Sequence, residues 1–148
     1  MHALRLTDDD RKLIEPAWLA RAEAVHRELR PQLAADYAAQ MAGIFADGGE
    51  MVVAIEGEAV LGVAVYRCYR DTFSGTKFYV DDLVTTEAQR SRGAGKLLLD
   101  WLQQDARRRG ASNFILDSGT QRERAHRFYF REGLGIACFN FRKPLSND

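Results

Sequence analysis

The sequence predicts an α/β (α+β) domain with a mixed, mostly antiparallel central sheet flanked by helices. Three observations carry that expectation. "MVVAIE" (51–56) and "AVLGVAVYRCYR" (59–70) are strand-like runs joined by Gly57-Glu58, the signature of a tight hairpin. The N-terminal part instead carries apolar residues at helical spacing, as in the Ala-rich "PQLAADYAAQMAGIF". The C-terminal half alternates strand-like and helix-like segments, the pattern of strand–helix–strand units.

Taken in order, "ALRLT" is a short first strand, and Asp8 or Asp9 caps a helix starting near Arg11. Pro16 starts or kinks a helical stretch that runs to about Phe45 and breaks near Pro31, because proline brings no N–H to a helix interior. "DGGE" (47–50) ends that stretch. After the hairpin and the loop "DTFSGT", the run "KFYVDDLVTT" (77–86) is a third strand with two acids at its centre. The next helix ends near Arg109. Arg107, Arg108 and Arg109 suit its negative end, and Gly110 suits its cap. "NFILDSG" is a strand, "QRERAHRFYFREG" a helix stopped by Gly133, and "IACFNFRKPL" a last strand.

The 148 residues fit one domain spanning 1–148. Hydrophobic residues are 46% and charged residues 28%, the profile of a soluble globular protein. Lys plus Arg and Asp plus Glu are 21 each, so the formal net charge is zero. That balance argues against a general nucleic-acid binder, which carries a basic excess. No stretch approaches the roughly 20 apolar residues of a membrane span. Cys68 and Cys138 lie outside any CxxC pair, and spacing alone assigns them no metal. The expectation is a cytoplasmic protein with two reduced thiols, no membrane partner and no nucleic-acid partner.

"RSRGAGKLLLDW" (90–101) places a basic, glycine-rich turn directly after a strand and before a leucine-rich helix. It is not a P-loop, because Gly93 and Gly95 are too close and Leu97, not Ser or Thr, follows Lys96. It is not the dinucleotide fingerprint either, since Leu98 stands where the third glycine belongs. What remains is R-x-x-G-x-G, through Arg90, Gly93 and Gly95. Glycines let backbone approach a ligand closely, and the first N–H groups of a helix point outward unpaired. With Arg90, Arg92 and Lys96 adding charge, the turn suits a pyrophosphate bound without metal.

Here the sequence resembles the Gcn5-related N-acetyltransferases, in which R/Q-x-x-G-x-G/A follows a central strand and binds the pyrophosphate of acetyl-CoA. "AHRFYFREGL" is similar to that family's A-x-x-F-Y-x-x-x-G-F/L element, through Ala125, Phe128, Tyr129, Gly133 and Leu134. The two motifs stand in the family's order, with a strand between them. "AHRFYFREG" followed by "FNFRKPL" resembles the end of aminoalkylphosphonate N-acetyltransferases, and "VDDLV" resembles the matching strand of polyamine and aminoglycoside acetyltransferases. Many family members carry Asn where this chain has Arg122, a departure that the phosphonate-type enzymes share.

The resemblance implies direct acetyl transfer from acetyl-CoA to a primary amine of a small molecule, in a ternary complex, by a homodimer. A protein lysine or N-terminal acceptor, and a non-catalytic acetyl-CoA sensor, are the alternatives. An amine must lose a proton, the thioester carbonyl needs a donor, and the departing thiolate needs a proton. Asp81 and Asp82 are candidates for the first task. Neighbours on a regular strand face opposite ways, so only one would face a given cleft. Asp82 matches the acidic position of the phosphonate-type enzymes, with Asp81 the alternative, and a salt bridge to a nearby Arg is the competing role for each.

By resemblance, Leu83, Val84 and Thr85 pair with the pantetheine arm, and the Val84 N–H is the oxyanion donor. Ser91, Arg92, Gly93, Ala94, Gly95 and Lys96 with Arg90 cradle the pyrophosphate. Arg122 and Ala125 supply further CoA contacts. Tyr129 is the acid toward the thiolate, since a phenol of pKa about 10 is protonated at neutral pH. Phe128 and Phe130 are expected to pack beside it. His126 lies near Tyr129 on the helix, His2 and His26 are remote in sequence, and no histidine is assigned a metal. Arg67, Arg70, Arg122 and Arg124 either hold an anionic tail of the acceptor or form solvated faces.

Overall fold

The computed structural model describes residues 1–146. Its order is β1 (His2–Arg5), α1 (Pro16–Leu29), α2 (Tyr37–Ala46), β2 (Glu50–Glu56), β3 (Ala59–Asp71), β4 (Gly75–Thr85), α3 (Ala94–Arg108), β5 (Asn113–Leu116) and α4 (Glu123–Arg131). The chain divides into two compact units, Met1–Leu116 and a second beginning at Asp117.

In the first unit the five strands lie in sequence order, β1-β2-β3-β4-β5. The pairs β1–β2, β2–β3 and β3–β4 are antiparallel, and β4–β5 is parallel. This is the mixed α+β sheet that the segment pattern predicts. The Gly57-Glu58 turn joins β2 to β3, with Gly57 at φ 59°, a left-handed value that glycine adopts without strain.

Alternation along β2 and β3 builds two cores, one on each sheet face. Met51, Val53, Ile55, Val63 and Val65 meet Leu19, Ala22, Val25, Tyr37, Met41 and Phe45 of α1 and α2. The opposite face is covered by α3, where Leu98, Leu99 and Leu102 are fully buried. There Tyr66 stacks on Phe78 at 5.0 Å and meets Trp101 at 5.9 Å. Gly62 on β3 admits α3 closely, since a Cβ at this position would stand 2.9 Å from Leu98 Cδ1.

Three expectations about elements change, and the break expected near Pro31 is present. No helix starts near Arg11: the Asp8 carboxylate accepts from the N–H groups of Asp10 and Lys12, both at 2.9 Å, and Arg11 takes φ 65°. That side-chain turn competes with a helix, so α1 begins at Pro16, where a missing N–H costs nothing. Its continuation breaks after Leu29 and resumes at Tyr37, with the Asp36 carboxylate capping the Ala39 N–H at 3.0 Å. The strand expected over "NFILDSG" stops at Leu116. The last expected strand, "IACFNFRKPL", does not form. Those residues have no regular structure, and Ile136, Phe139, Phe141 and Leu145 stand 75%, 84%, 94% and 84% exposed. Apolar and aromatic residues that favour strands are present there, but a strand also needs a partner edge for its N–H and C=O groups.

The C-terminal end of α3 is anchored electrostatically. Glu50, buried at the start of β2, accepts from Arg109 at 2.6 and 2.7 Å and from Arg5 at 2.6 Å. Asp105 pairs with Arg109 at 3.0 Å and with Arg108 at 2.6 Å. Arg108 and Arg109 thus do more than face the helix dipole. Removing Glu50 strands two guanidiniums that are mostly out of water. We expect Glu50→Ala to lower stability by about 3 kcal/mol, the low end for a broken buried pair because both arginines keep some exposure. A urea-unfolding midpoint close to that of the native protein would show that the cluster contributes little.

Candidate active site

The site is built on β4. Its ladder with β3 carries one irregularity: Val65 pairs with Asp82 and Tyr66 with Val80, so Asp81 is an extra residue, a β-bulge. The bulge resets the alternation. Tyr79 and Asp81 point to the α1/α2 face, and Asp82, which a regular strand would turn to the α3 face, pairs with Val65 and also points to α1 and α2. The premise that only one of the two acids can serve a given face therefore fails, because β4 is not regular at that point.

The partners confirm the geometry. Asp81 Oδ2 accepts from Arg67 Nε at 2.8 Å, and Arg67 Nη1 also donates to the Asp47 carbonyl after α2, at 2.7 Å. Asp82 Oδ1 accepts from Arg30 Nε at 2.8 Å, and Asp82 Oδ2 lies 2.7 Å from His26 Nε2. Arg30 Nη2 donates to the Asp81 carbonyl at 3.3 Å. Burial pushes the Asp82 carboxyl up, but the hydrogen bonds from His26 and Arg30 outweigh it and hold the group below the ordinary value of 3.8. Asp82 thus stands as a carboxylate, and each acid lies beside an arginine.

Beyond the bulge β4 leaves β5. The parallel pairing covers only Lys77–Val80 against Asn113–Leu116, while β4 stays paired to β3 as far as Thr85. Residues 81–85 therefore turn one backbone edge to no strand among the described residues. The Leu83 side chain is buried, and Val84 packs against the α1/α2 core. The exit of β4 is tied to α1 by Glu28, whose carboxylate accepts from Thr86 Oγ1 at 2.8 Å and from the Glu87 N–H at 2.9 Å.

A 3-10 turn (Glu87–Gln89) leads into the glycine turn. Ser91 has φ 68°, and Gly93, the N-cap of α3, has φ 88°. The first intrahelical bond runs from the Leu97 N–H to the Gly93 carbonyl at 2.9 Å, so the N–H groups before it have no helical acceptor. One sequence argument changes here. A Cβ on Gly93 would meet no protein atom within 4 Å, so within the protein itself glycine is favoured there by its left-handed backbone and not by crowding. Arg90, Arg92 and Lys96 are paired, with Glu87 at 3.2 Å, Glu56 at 2.5 Å and Asp100 at 2.9 Å. The turn's attraction for an anion rests on its backbone dipoles first, with exposed ion pairs that exchange at little cost.

In the second unit Tyr129 is buried on α4, and burial raises its phenol pKa against a smaller opposing effect of Arg122. Phe128 meets Tyr129 with ring centroids 5.6 Å apart. Phe130 is 54% exposed, so it does not pack beside Tyr129 as expected. Arg122 is the N-cap of α4, Ala125 lies in its first turns, and Gly133 follows it at φ 88°. His126 Nε2 lies 2.8 Å from the Gly119 carbonyl, which occupies it structurally.

Sequence reasoning missed His26, Glu28, Arg30 and Tyr37 as parts of this arrangement, while Arg67, a candidate for the acceptor's anionic tail, is paired with Asp81. The available signal was the spacing of His26, Glu28 and Arg30 near the end of one helix. Their partners on β4 and just after it lie more than fifty positions away, a distance only the fold spans. Among the described residues no cluster of His, Cys, Asp or Glu could hold a metal ion, and no helix is long and apolar enough to cross a membrane.

Residues 12–136 match the model of the acetyltransferase (GNAT) family. An uncharacterized N-acetyltransferase of Bacillus subtilis, YhdJ, is 46% identical over 72 residues, covering 48% of this chain and 51% of that protein. The aminoalkylphosphonate N-acetyltransferase of Salmonella typhimurium is 38% identical over 66 residues, covering 45% of this chain and 43% of that protein. This chain thus spans about half the length of the curated relatives it matches. Aminoglycoside N-acetyltransferase AAC(6')-Iy, solved in complex with CoA, has the same fold at TM-score 0.78 and 16% identity, over 95% of this chain and 93% of that one.

Proposed function

This chain belongs to the acetyltransferase (GNAT) family, and from that membership we propose that it transfers the acetyl group of acetyl-CoA to a primary amine of a small molecule. The observation that carries the reading is the open edge of β4 over residues 81–85, running directly into the left-handed turn at Ser91 and Gly93. An extended amide-bearing arm fits the first by strand-like pairing, and a pyrophosphate fits the second. The relatives named for aminoalkylphosphonate and aminoglycoside acetylation support a small acceptor over a protein.

Acetyl-CoA supplies the acyl group. Leu83, Val84 and Thr85 bind its pantetheine arm through backbone, and the Val84 N–H receives the developing oxyanion. Arg90 and Ser91 to Lys96 hold the pyrophosphate, with Arg122 and Ala125 as further contacts. Asp82 and Asp81 hold the acceptor as an ammonium ion and take its proton through water. The freed nitrogen forms the C–N bond as the C–S bond breaks. Tyr129 gives its proton to the sulfur and regains one from the new amide nitrogen by way of solvent. Burial keeps the phenol protonated until then. No metal enters, and transfer is direct.

We extend the proposal to a homodimer in the cytoplasm. The exposed apolar run from Ile136 to Leu145 supports self-association, since surface of that kind seeks cover. Sedimentation velocity tests it: a single monomer boundary across a wide concentration range removes the dimer from the reading.

The experiment for the activity measures CoA release from acetyl-CoA with aminoalkylphosphonates, polyamines, amino acids and aminoglycosides. Turnover is expected on one class. Tyr129→Phe should lower kcat by one to three powers of ten, roughly 1.4 to 4 kcal/mol of barrier, with CoA affinity kept. Gly93→Val should instead weaken CoA binding about tenfold or more, because valine resists the left-handed backbone. CoA binding without turnover on any amine would point to a protein acceptor or a sensor. No CoA binding would overturn the assignment.

A further inference from the structure

His26 is the most deeply buried ionisable side chain near the acidic pair, at 1% exposure. Both ring nitrogens are engaged. Nε2 lies 2.7 Å from Asp82 Oδ2, and Nδ1 lies 2.9 Å from Tyr37 Oη. The Tyr37 and His26 rings meet edge-on at 5.7 Å and 86°. Three elements thus converge: α1 brings His26, α2 brings Tyr37 and β4 brings Asp82.

The hydrogens follow from what each partner can do. An ionised carboxylate only accepts, so Nε2 carries a hydrogen and donates it to Asp82. When the ring is neutral, Nδ1 is then the acceptor and Tyr37 donates its O–H. Burial of Tyr37 raises its pKa and keeps that hydrogen in place. The chain Tyr37→His26→Asp82 is complete, with no donor left over.

Arg30 holds the other oxygen of Asp82, but the two partners differ in kind. The Arg30 side chain is 42% exposed, and its pair with Asp82 can exchange for another cation at small cost. His26 is enclosed and cannot move aside. A carboxylate that must receive an arriving ammonium ion needs one partner that yields and one that stays.

On the reading of Asp82 as the group that receives the acceptor amine, we infer that His26 is a positioning residue of the acetylation. It fixes the rotamer and the free lone pair of Asp82, while Tyr37 fixes the tautomer of His26. Arg30 is the partner that gives way. The other charged groups around the chain are Glu23 and Arg27 of α1, which act on Tyr37, and Asp81, whose carbonyl Arg30 holds. His26 never touches the substrate, so its effect passes through Asp82.

A double-mutant cycle tests this, with acetyl-CoA and an acceptor of the class that turns over, such as 2-aminoethylphosphonate or spermidine. His26→Leu should lower kcat/KM for the amine about 10- to 100-fold, with KM for acetyl-CoA unchanged. His26→Gln, which keeps an N–H near Nε2, should recover most of it. In an Asp82→Asn background, His26→Leu should cost less than twofold, because the group it serves is gone. Full additivity of the two changes overturns the inference while leaving Asp82 in place. An Asp82→Asn variant with native amine kinetics overturns the reading beneath it, as does failure of the native protein to acetylate any of the four amine classes, the cycle being run on the class that turns over.

Because His26→Leu removes a buried partner, two measurements stand apart from its folding. Tyr37→Phe should lower amine kcat/KM about 3- to 10-fold by freeing the tautomer, again with no change toward acetyl-CoA. On the native protein, 15N NMR should show, for the neutral imidazole, a hydrogen on Nε2 and a bare Nδ1. A hydrogen on Nδ1 with a bare Nε2 would overturn the inference directly.

Discussion

One extra residue in β4 organises the site. The bulge at Asp81 lets β4 keep its pairing with β3 on both sides of it while reversing the facing of everything that follows. Asp81 and Asp82 consequently share the α1/α2 face, Leu83 turns into the α3 core, and Val84 returns to the α1/α2 core. Bulges bend and twist the strand that carries them. The parallel pairing with β5 ends at Val80, immediately before the bulge, and an open backbone edge begins there. Carboxylates and free edge are two results of one insertion.

The C-terminal part of α1 then holds the displaced strand. His26 and Arg30 take the two oxygens of Asp82, Arg30 also covers the Asp81 carbonyl, and Glu28 gathers Thr86 and the Glu87 N–H. A bulge leaves backbone groups outside the ladder, and each buried one left unpaired would cost on the order of 1–3 kcal/mol. The end of the helix supplies one such partner, Arg30 for the Asp81 carbonyl. Electrostatically, each acid is matched by an arginine, and the basic residues of the glycine turn are matched by acids. The site is therefore nearly neutral as it stands. A charged ligand on either side displaces an exposed partner and meets little standing excess of charge.

The helix α3 links this end to the rest of the first unit. At roughly 1.5 Å per residue it spans about 22 Å. Its C-terminal end is pinned by Arg108 and Arg109 to Asp105, Glu50 and Asp9, and its middle is buried through Leu98, Leu99 and Leu102. That anchoring lets its N-terminal turn carry two left-handed residues, Ser91 and Gly93, in the open. Non-glycine residues adopt that conformation at a cost of about 1–2 kcal/mol, so Ser91 is held there by the rigid elements on either side.

Local chemistry was enough to read much of this from the chain alone. The Gly57-Glu58 hairpin, the apolar face of α3, the glycine turn before it and the Phe128-Tyr129 helix stopped by Gly133 all depend on residues within a few positions of each other. For the same reason the family resemblance was legible in the spacing of Arg90, Gly93 and Gly95 and in the run from Ala125 to Leu134. Tertiary structure alone decided the rest. Nothing near Asp81 in sequence marks it as a bulge, because a bulge is a mismatch between two strands and β3 holds the other half of the count. His26 read as remote because its partner Asp82 lies 56 positions on. The segment from Ile136 to Leu145 shows the opposite error. Its apolar and aromatic residues predicted a strand, yet composition records only a local preference. Whether a strand forms depends on an edge to accept its hydrogen bonds, and that is a property of the assembled sheet, not of the segment.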